Sequence, residues 1–306
     1  MRLALFDAPG GAAYRLGVVG DGTVVDVTAA LSALGHTDGP ADRDPLTAGW
    51  WRALCRDLAA DDGVLRPALE KAAAAGAPVP LDRVRLRAPV LNPSKIIACA
   101  SNYGAHVEEM HAVQRRTLGR VESWMMDFDV FLKAPSAISG PADPIRLPRA
   151  VVGAGQEVHH ESELVVVIGR GGHDIPEDDA LRHVAGYAIG LDITVRGEGD
   201  RSRRKSYDTF APVGPWLTTA DEVPDPGALE IDLWRNGEDH RQHVRTADMI
   251  TGVPAIVAYA SAMMTLLPGD VLFTGAPPGV GPIAPGDVLD TRISGLGAMT
   301  VPVEPA

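Results

Sequence analysis

The sequence predicts an α+β protein in two parts: a small N-terminal α/β module over residues 1–88 and a β-rich α+β domain over residues 89–306. Three observations predict it. Prolines 78, 80, 89 and 93 punctuate the chain between a helix-rich stretch and a strand-rich one, and proline fixes φ and cannot continue a helix. After Ser94 the pattern becomes short β-branched runs separated by Gly and Pro turns. Only two helical stretches interrupt those runs, so the strands come mostly in succession rather than alternating with helices.

The elements follow in order. Leu3 to Phe6 is a short apolar strand, and RLGVVGDGTVVDVT places Gly20, Asp21 and Gly22 between two Val-rich runs, a hairpin signal. From about Leu46 to Ala75, Ala, Leu and Arg recur at helical spacing. Within it, Pro67 opens and Gly76 closes a helix. Beyond the prolines, KIIACA, ELVVVIG, GYAIGLDIT, LEIDLWRNG, DVLFTG, DVLDTRISG and MTVPVE read as strands. Residues 106–127 and 253–267 read as helices.

Composition narrows the function. Charged residues are 22% and hydrophobic ones 45%, an ordinary globular balance. A net charge of −12 argues against a nucleic-acid binder, which carries a basic face. The only cysteines, Cys55 and Cys99, read as buried free thiols rather than a disulfide framework. The N-terminal apolar run is too short for a signal peptide, and nothing approaches the ~20 apolar residues of a membrane helix. The expected compartment is a reducing cytoplasm.

The chemistry concentrates in HHESELVVVIG. Glu161 and Glu163 are two apart, so a strand points both to one face. Carboxylates that close must be exposed, protonated or shared by a cation, and a hard divalent ion takes oxygen ligands. A solvated strand end is the alternative. Asp192, within the apolar GYAIGLDITVR, needs a partner if buried, and a third oxygen ligand would supply one; a strand-end cap is its alternative. In ASNYGAHVEEMH, Asn102 and Tyr103 close a strand, and His106 and Glu109 share a helix face, where a carboxylate orients the imidazole as a base. An ordinary surface pair fits that spacing equally. RRKSYDTFAPVGPW, which contains Lys205, reads as a solvated loop with one or two inward-facing cations. Thr274 and Gly275 end a strand before a Gly/Pro loop whose amides can approach a ligand.

The order of these pieces resembles the fumarylacetoacetate hydrolase superfamily. KIIACASNYGAHVEE, FLKAPSAISGP, HHESELVVVIG, GYAIGLDITVR, RKSYDTFAPVGPW, RNGEDHRQHVRTADMI and PGDVLFTGAPPGVGP match in unbroken order from Lys95 to Val303. The resemblance implies a mixed β-roll catalytic domain, a homodimer, and Mg²⁺ or Mn²⁺ on Glu161, Glu163 and Asp192. It implies His106 and Glu109 as the lid His–Glu pair, Lys205 as the lysine facing the substrate, and Arg196 and Thr274 at the family's arginine and threonine positions. Asn102 and Tyr103 join them as substrate-binding candidates. The implied activity is metal-dependent C–C hydrolysis of an acylpyruvate-type β-diketo acid. Decarboxylation, isomerisation or dehydration of a 2-keto acid on the same site, or a catalytically silent binding protein, are the alternatives. The chain departs from the family where Gly197 and Gly199 replace the usual Asp and Gln, and where His160 replaces the usual Tyr. Trp124, Met125 and Met126 give the lid segment bulk for a larger acid, or simply pack its helix.

Overall fold

The computed structural model describes residues 1–11, 14–33, 49–60, 63–121, 123 and 126–306, and the statements below concern those residues. Strands β1 (Arg2–Asp7), β2 (Arg15–Val19) and β3 (Thr23–Asp26) form an antiparallel meander, its second half the expected hairpin. Its second turn needs positive φ at Gly22 (67°). Helices α1 (Thr28–Ala33), α2 (Gly49–Ala60) and α3 (Leu65–Ala75) follow, then β4 (Pro78–Pro80) and β5 (Arg85–Arg87). The long helical stretch expected here is two helices, with Gly63 in left-handed backbone (φ 70°) before the second. Residues 46–48 lie outside the described residues.

The chain continues through β6 (Ile96–Ala100), α4 (Gly104–Leu118), β7 (Asp129–Lys133), β8 (Ile138–Ser139), β9 (Ile145–Leu147), α5 (Arg149–Gly153), β10 (Val158–His160), β11 (Ser162–Ile168), β12 (Val184–Leu191), β13 (Thr194–Val195), α6 (Arg201–Lys205) and β14 (Ala211–Thr219). It ends with β15 (Glu230–Arg235), β16 (Asp239–Arg245), α7 (Val253–Met263), β17 (Val271–Phe273), β18 (Gly281–Pro282), β19 (Val288–Ile293) and β20 (Gly297–Pro305).

The largest sheet has 12 strands along the path β4-β3-β2-β1-β14-β12-β11-β17-β6-β7, with β5 on β1 and β8 on β14. Strands from residues 2–26 therefore extend the same sheet that carries β11 and β12. Pairings β6/β17, β8/β14 and β9/β20 are parallel and the rest antiparallel, so the architecture is mixed α+β. A five-stranded sheet (β16-β15-β19-β20-β9) and a three-stranded one (β13-β10-β18) complete the fold.

Strands β11 and β12 are buried along their whole length because both faces are covered. Val165 and Val167 pack with Trp51, Leu54 and Leu69 of α2 and α3. Leu164, Val166 and Ile168 pack with α7 and the five-stranded sheet. At roughly 25 cal/mol per Å² of apolar surface, this two-sided burial makes β11 and β12 a rigid platform for whatever sits at their ends.

Helix α4 stops at Leu118 rather than near Asp127. Gly119 takes left-handed backbone (φ 70°), and its N–H returns to Arg115 O, a glycine C-cap. Trp124 and Met125 lie outside the described residues. Helix α7 stops at Met263, four residues early, because Met264 is extended and Leu266 exchanges hydrogen bonds with Gly172.

Candidate metal centre and active site

Asp192 does not lie inside a strand. Strand β12 ends at Leu191, and the Asp192 N–H bonds to Glu161 O across the gap that separates β10 from β11. Ser162 pairs with Leu191 and Glu163 with Gly190, so this break brings all three carboxylates to one end of the β11–β12 ladder. Their oxygens lie within 4.8 Å of one another, and all three residues are buried.

Each carboxylate has different company. Glu161 accepts from Arg196 Nη2 (2.5 Å) and Lys205 Nζ (2.7 Å). Asp192 accepts from Lys205 Nζ (2.5 Å) and from Lys133 Nζ, which also bonds Phe210 O (2.7 Å). Glu163 accepts only the Gly275 N–H, on Oε2 (2.6 Å), and its buried Oε1 has no hydrogen-bond partner. Burial, reinforced by Asp192 and Glu161, pushes the Glu163 carboxyl well above the usual range. Burial acts the same way on Glu161, but Lys205 and Arg196 outweigh it and hold that carboxyl below the usual range.

An orphaned buried carboxylate oxygen beside two further carboxylates is a destabilising arrangement for the chain alone. An all-oxygen donor set of this kind suits a hard divalent cation, and each carboxylate has lone pairs to spare beyond those the lysines use. The residues present fit a Mg²⁺ or Mn²⁺ ion.

Helix α4 forms the opposite wall. His106 Nδ1 faces Glu109 Oε2 at 3.2 Å, and Glu109 also accepts the Gly279 N–H at 3.2 and 3.3 Å. Gly279 has φ 95°, and a Cβ there would meet Arg241 O, so a side chain would break this latch. A cavity lies between this wall and the Glu161 side of the carboxylate cluster. It is lined by His106, Met110, Met126, Glu161, Arg196 and Lys205, with Arg201 and Arg204 beside them.

The other sequence candidates are placed differently. Asn102 spends its amide on backbone: Nδ2 donates to Thr251 O and Thr274 O, and Oδ1 accepts from Thr251 N. Thr274 donates to Leu164 O. Both fasten β11, β17 and the start of α4 together and present no polar side-chain atom to the cavity. Tyr103 is buried before α4 with its hydroxyl unpartnered, and burial pushes its phenol pKa up, keeping it neutral. Gly275 has φ 100° and sits so close to Asn102 that a Cβ would be 2.7 Å from its Cβ. Its amide approaches Glu163 as the strand-end loop suggested it could approach a ligand.

Lys133 is the residue that sequence reasoning missed. It stands in the FLKAPSAISGP motif at the end of β7, 2% exposed. Its signal was a lysine closing an otherwise apolar FLK run, a position where a buried cation needs a carboxylate. The basic run at 201–205 is the short helix α6 rather than the expected loop, and it does turn a cation inward: Arg203 is exposed, while Lys205 is buried in the site.

Beside the centre, burial pushes the His159 imidazole down to about 4 and that of His160 to about 3, from 6.5. Both are folded in neutral, while the unfolded chain binds their protons below 6.5. Their stabilisation is complete above pH 6.5 and is lost as pH falls towards 4 and then 3. The raised Glu163 carboxyl acts in the opposite sense above pH 4.5, but it is one group against two. The urea midpoint of chelator-treated protein is expected to fall between pH 7 and pH 4.5; a flat profile would contradict neutral burial of the pair.

The fumarylacetoacetate (FAA) hydrolase C-terminal model matches residues 95–304. The chain belongs to the fumarylacetoacetate hydrolase family. It is 40% identical over 293 residues to a maleylpyruvate hydrolase of Aquipseudomonas alcaligenes, covering 94% of this chain and 96% of that one. The crystal structure of maleylpyruvate hydrolase from Sphingobium sp. SYK-6, in complex with manganese(II) and pyruvate, is 42% identical, covers both chains fully and superposes with a TM-score of 0.81. A 5-carboxymethyl-2-hydroxymuconate delta-isomerase structure from Mycobacterium smegmatis matches at 33% identity and a TM-score of 0.70 over both whole chains.

Against the family pattern, Gly197 and Gly199 have a backbone explanation. Their φ values are 130° and 111°, a region L side chains rarely adopt, so this chain turns here where Asp and Gln would be strained. The turn delivers Asp200, which caps α6 by accepting the Arg203 N–H, and α6 carries Lys205 inward. Among the described residues no helix is long and apolar enough to cross a membrane.

Proposed function

We propose that this chain is a divalent-metal-dependent hydrolase that cleaves the C–C bond of an acylpyruvate-type diketo acid. The observation that carries the reading is a His106–Glu109 pair whose imidazole shares a cavity with Glu161 of a buried three-carboxylate centre, in a chain that matches maleylpyruvate hydrolases over nearly its whole length. Mg²⁺ or Mn²⁺ held by Glu161, Glu163 and Asp192 supplies Lewis acidity at the substrate's keto oxygens, worth several kcal/mol.

The side chains do the rest. With Nδ1–H held by Glu109, the Nε2 of His106 is left to take a proton from water. The water oxygen adds to the acyl carbonyl, the C–C bond to the pyruvoyl methylene breaks, and a proton returns to that carbon to give pyruvate and a carboxylic acid. Positioned base help of this kind contributes about 10²–10⁴-fold. Arg196 and Lys205 put positive charge on the cavity wall where the substrate carboxylate and the developing enolate need it. Asn102, Tyr103 and Thr274 act by fixing the wall. The same reading takes the working form to be a homodimer in a reducing cytoplasm, where the buried thiols Cys55 and Cys99 stay free.

The test is a substrate panel with Mn²⁺ present. Pyruvate release from an acylpyruvate without CO₂ supports hydrolysis. CO₂ from oxaloacetate, or a shifted diene absorbance from a hydroxydiene diacid without cleavage, would replace it with a decarboxylase or isomerase.

A further inference from the structure

A second group of metal-ligating side chains lies outside the active site, on the β15–β16 hairpin. Asp232 pairs with His243, and Trp234 with His240, across a register shift that leaves Arg241 as an extra residue. In a regular strand His240 and His243, three apart, would point to opposite faces. The bulge resets the alternation and turns both imidazoles to the face of Asp232. His240 Nε2 lies 2.9 Å and His243 Nδ1 2.8 Å from the same oxygen, Asp232 Oδ1.

The surroundings pre-orient these groups. The His240 ring stacks on Trp234 at 4.4 Å and 12°. Arg292 Nη2 holds the other oxygen of Asp232 at 3.3 Å and lies over Trp234. Asp232 is 7% exposed, while the side chains of His240 and His243 are 39% and 67% exposed, so the donors are rigid on one side and reachable on the other. Burial would raise the Asp232 carboxyl, but hydrogen bonds from His243, His240 and Arg292 outweigh it and hold it ionised.

We infer that Asp232, His240 and His243 form a second metal site, for a borderline ion such as Zn²⁺, separate from the all-oxygen centre. Two imidazoles and one carboxylate with an open fourth position is a donor set that suits Zn²⁺ and not Mg²⁺. Bonds of roughly 2.0–2.1 Å require the donors to open from these contacts to about 3.3 Å apart, a small rotation of the two exposed rings. The ion ties the two strands of the hairpin together. Gln242, next to the bulge, points inward, accepts the Ser162 N–H between Glu161 and Glu163 (2.9 Å) and donates to Pro277 O. A cation on the outer face therefore braces the strand that positions the catalytic carboxylates.

Titration of ZnCl₂ into chelator-treated protein, with excess Mg²⁺ and in a Glu163→Gln background, isolates this site. The expected result is one saturable Zn²⁺ equivalent, weakened at least about tenfold by His243→Ala and by His240→Gln, the latter keeping the hairpin polar. Ni²⁺ is expected to quench Trp234 fluorescence only where both histidines are present. Zn²⁺ should raise the melting temperature of the parent and not of the variants. Identical Zn²⁺ binding by parent and both histidine variants, or no saturable binding by the parent, would overturn the inference.

Discussion

Asp192→Asn will melt well below the parent and will not bind Mn²⁺. Asp192 is buried and bonds two buried ammonium groups, Lys133 and Lys205. Neutralising it removes the negative charge that compensates both ammonium groups: Lys133 keeps the Phe210 carbonyl and the Phe273 ring, and Lys205 keeps Glu161 as its charged partner. Breaking a buried pair from one side costs about 3–5 kcal/mol, because the remaining charge stays desolvated. Burial already disfavours the charged form of Lys133, and Asp192 is the partner that offsets it. Lys133→Met added to Asp192→Asn is therefore expected to recover much of the stability and none of the metal binding. Thermal melts of the parent, both single variants and the double close the cycle. Melts of Asp192→Asn that superpose on the parent would show that these lysines do not depend on it.

His106→Ala is expected to lower kcat for pyruvate release by about 10²–10⁴-fold while leaving Mn²⁺ affinity unchanged. The imidazole lines the cavity but bonds none of the three carboxylates. Glu109→Gln should cost less. Glu109 positions the ring and latches α4 through the Gly279 N–H, and a glutamine amide oxygen can still accept one of those bonds. Single-turnover kinetics with Mn²⁺ saturating separate the two effects. Full activity in His106→Ala would remove it as the base.

The fold and most of the centre were legible because their causes are local or compositional. Strands β11 and β12 announce themselves by unbroken apolar runs, and the positions of Glu161, Glu163 and Asp192 at the run ends are what a buried oxygen site requires. The break that aligns them was not legible: GYAIGLDIT reads as one strand, and only pairing across to Glu161 shows that Asp192 follows its end. Lys133 was missed because its role depends on contact with a residue 59 positions away. Asn102 and Thr274 lie where the motif places them, yet their polar atoms are consumed by backbone partners that no spacing argument predicts. The end of α4 was legible in Gly119, but helical composition beyond it masked the signal.

The central claim is that the three carboxylates hold a catalytic divalent ion, and calorimetric titration of Mn²⁺ into chelator-treated protein, with and without oxalate, tests it most directly. Oxalate stands in for the enolate of pyruvate. Glu163→Gln is the informative partner, since it removes a buried, repelled carboxylate and should leave the fold at least as stable. The account predicts that the parent binds Mn²⁺, that oxalate tightens it, and that Glu163→Gln folds but loses the oxalate-enhanced ion. A folded parent that binds no Mn²⁺ in either condition, or a Glu163→Gln variant that binds it like the parent, would contradict it.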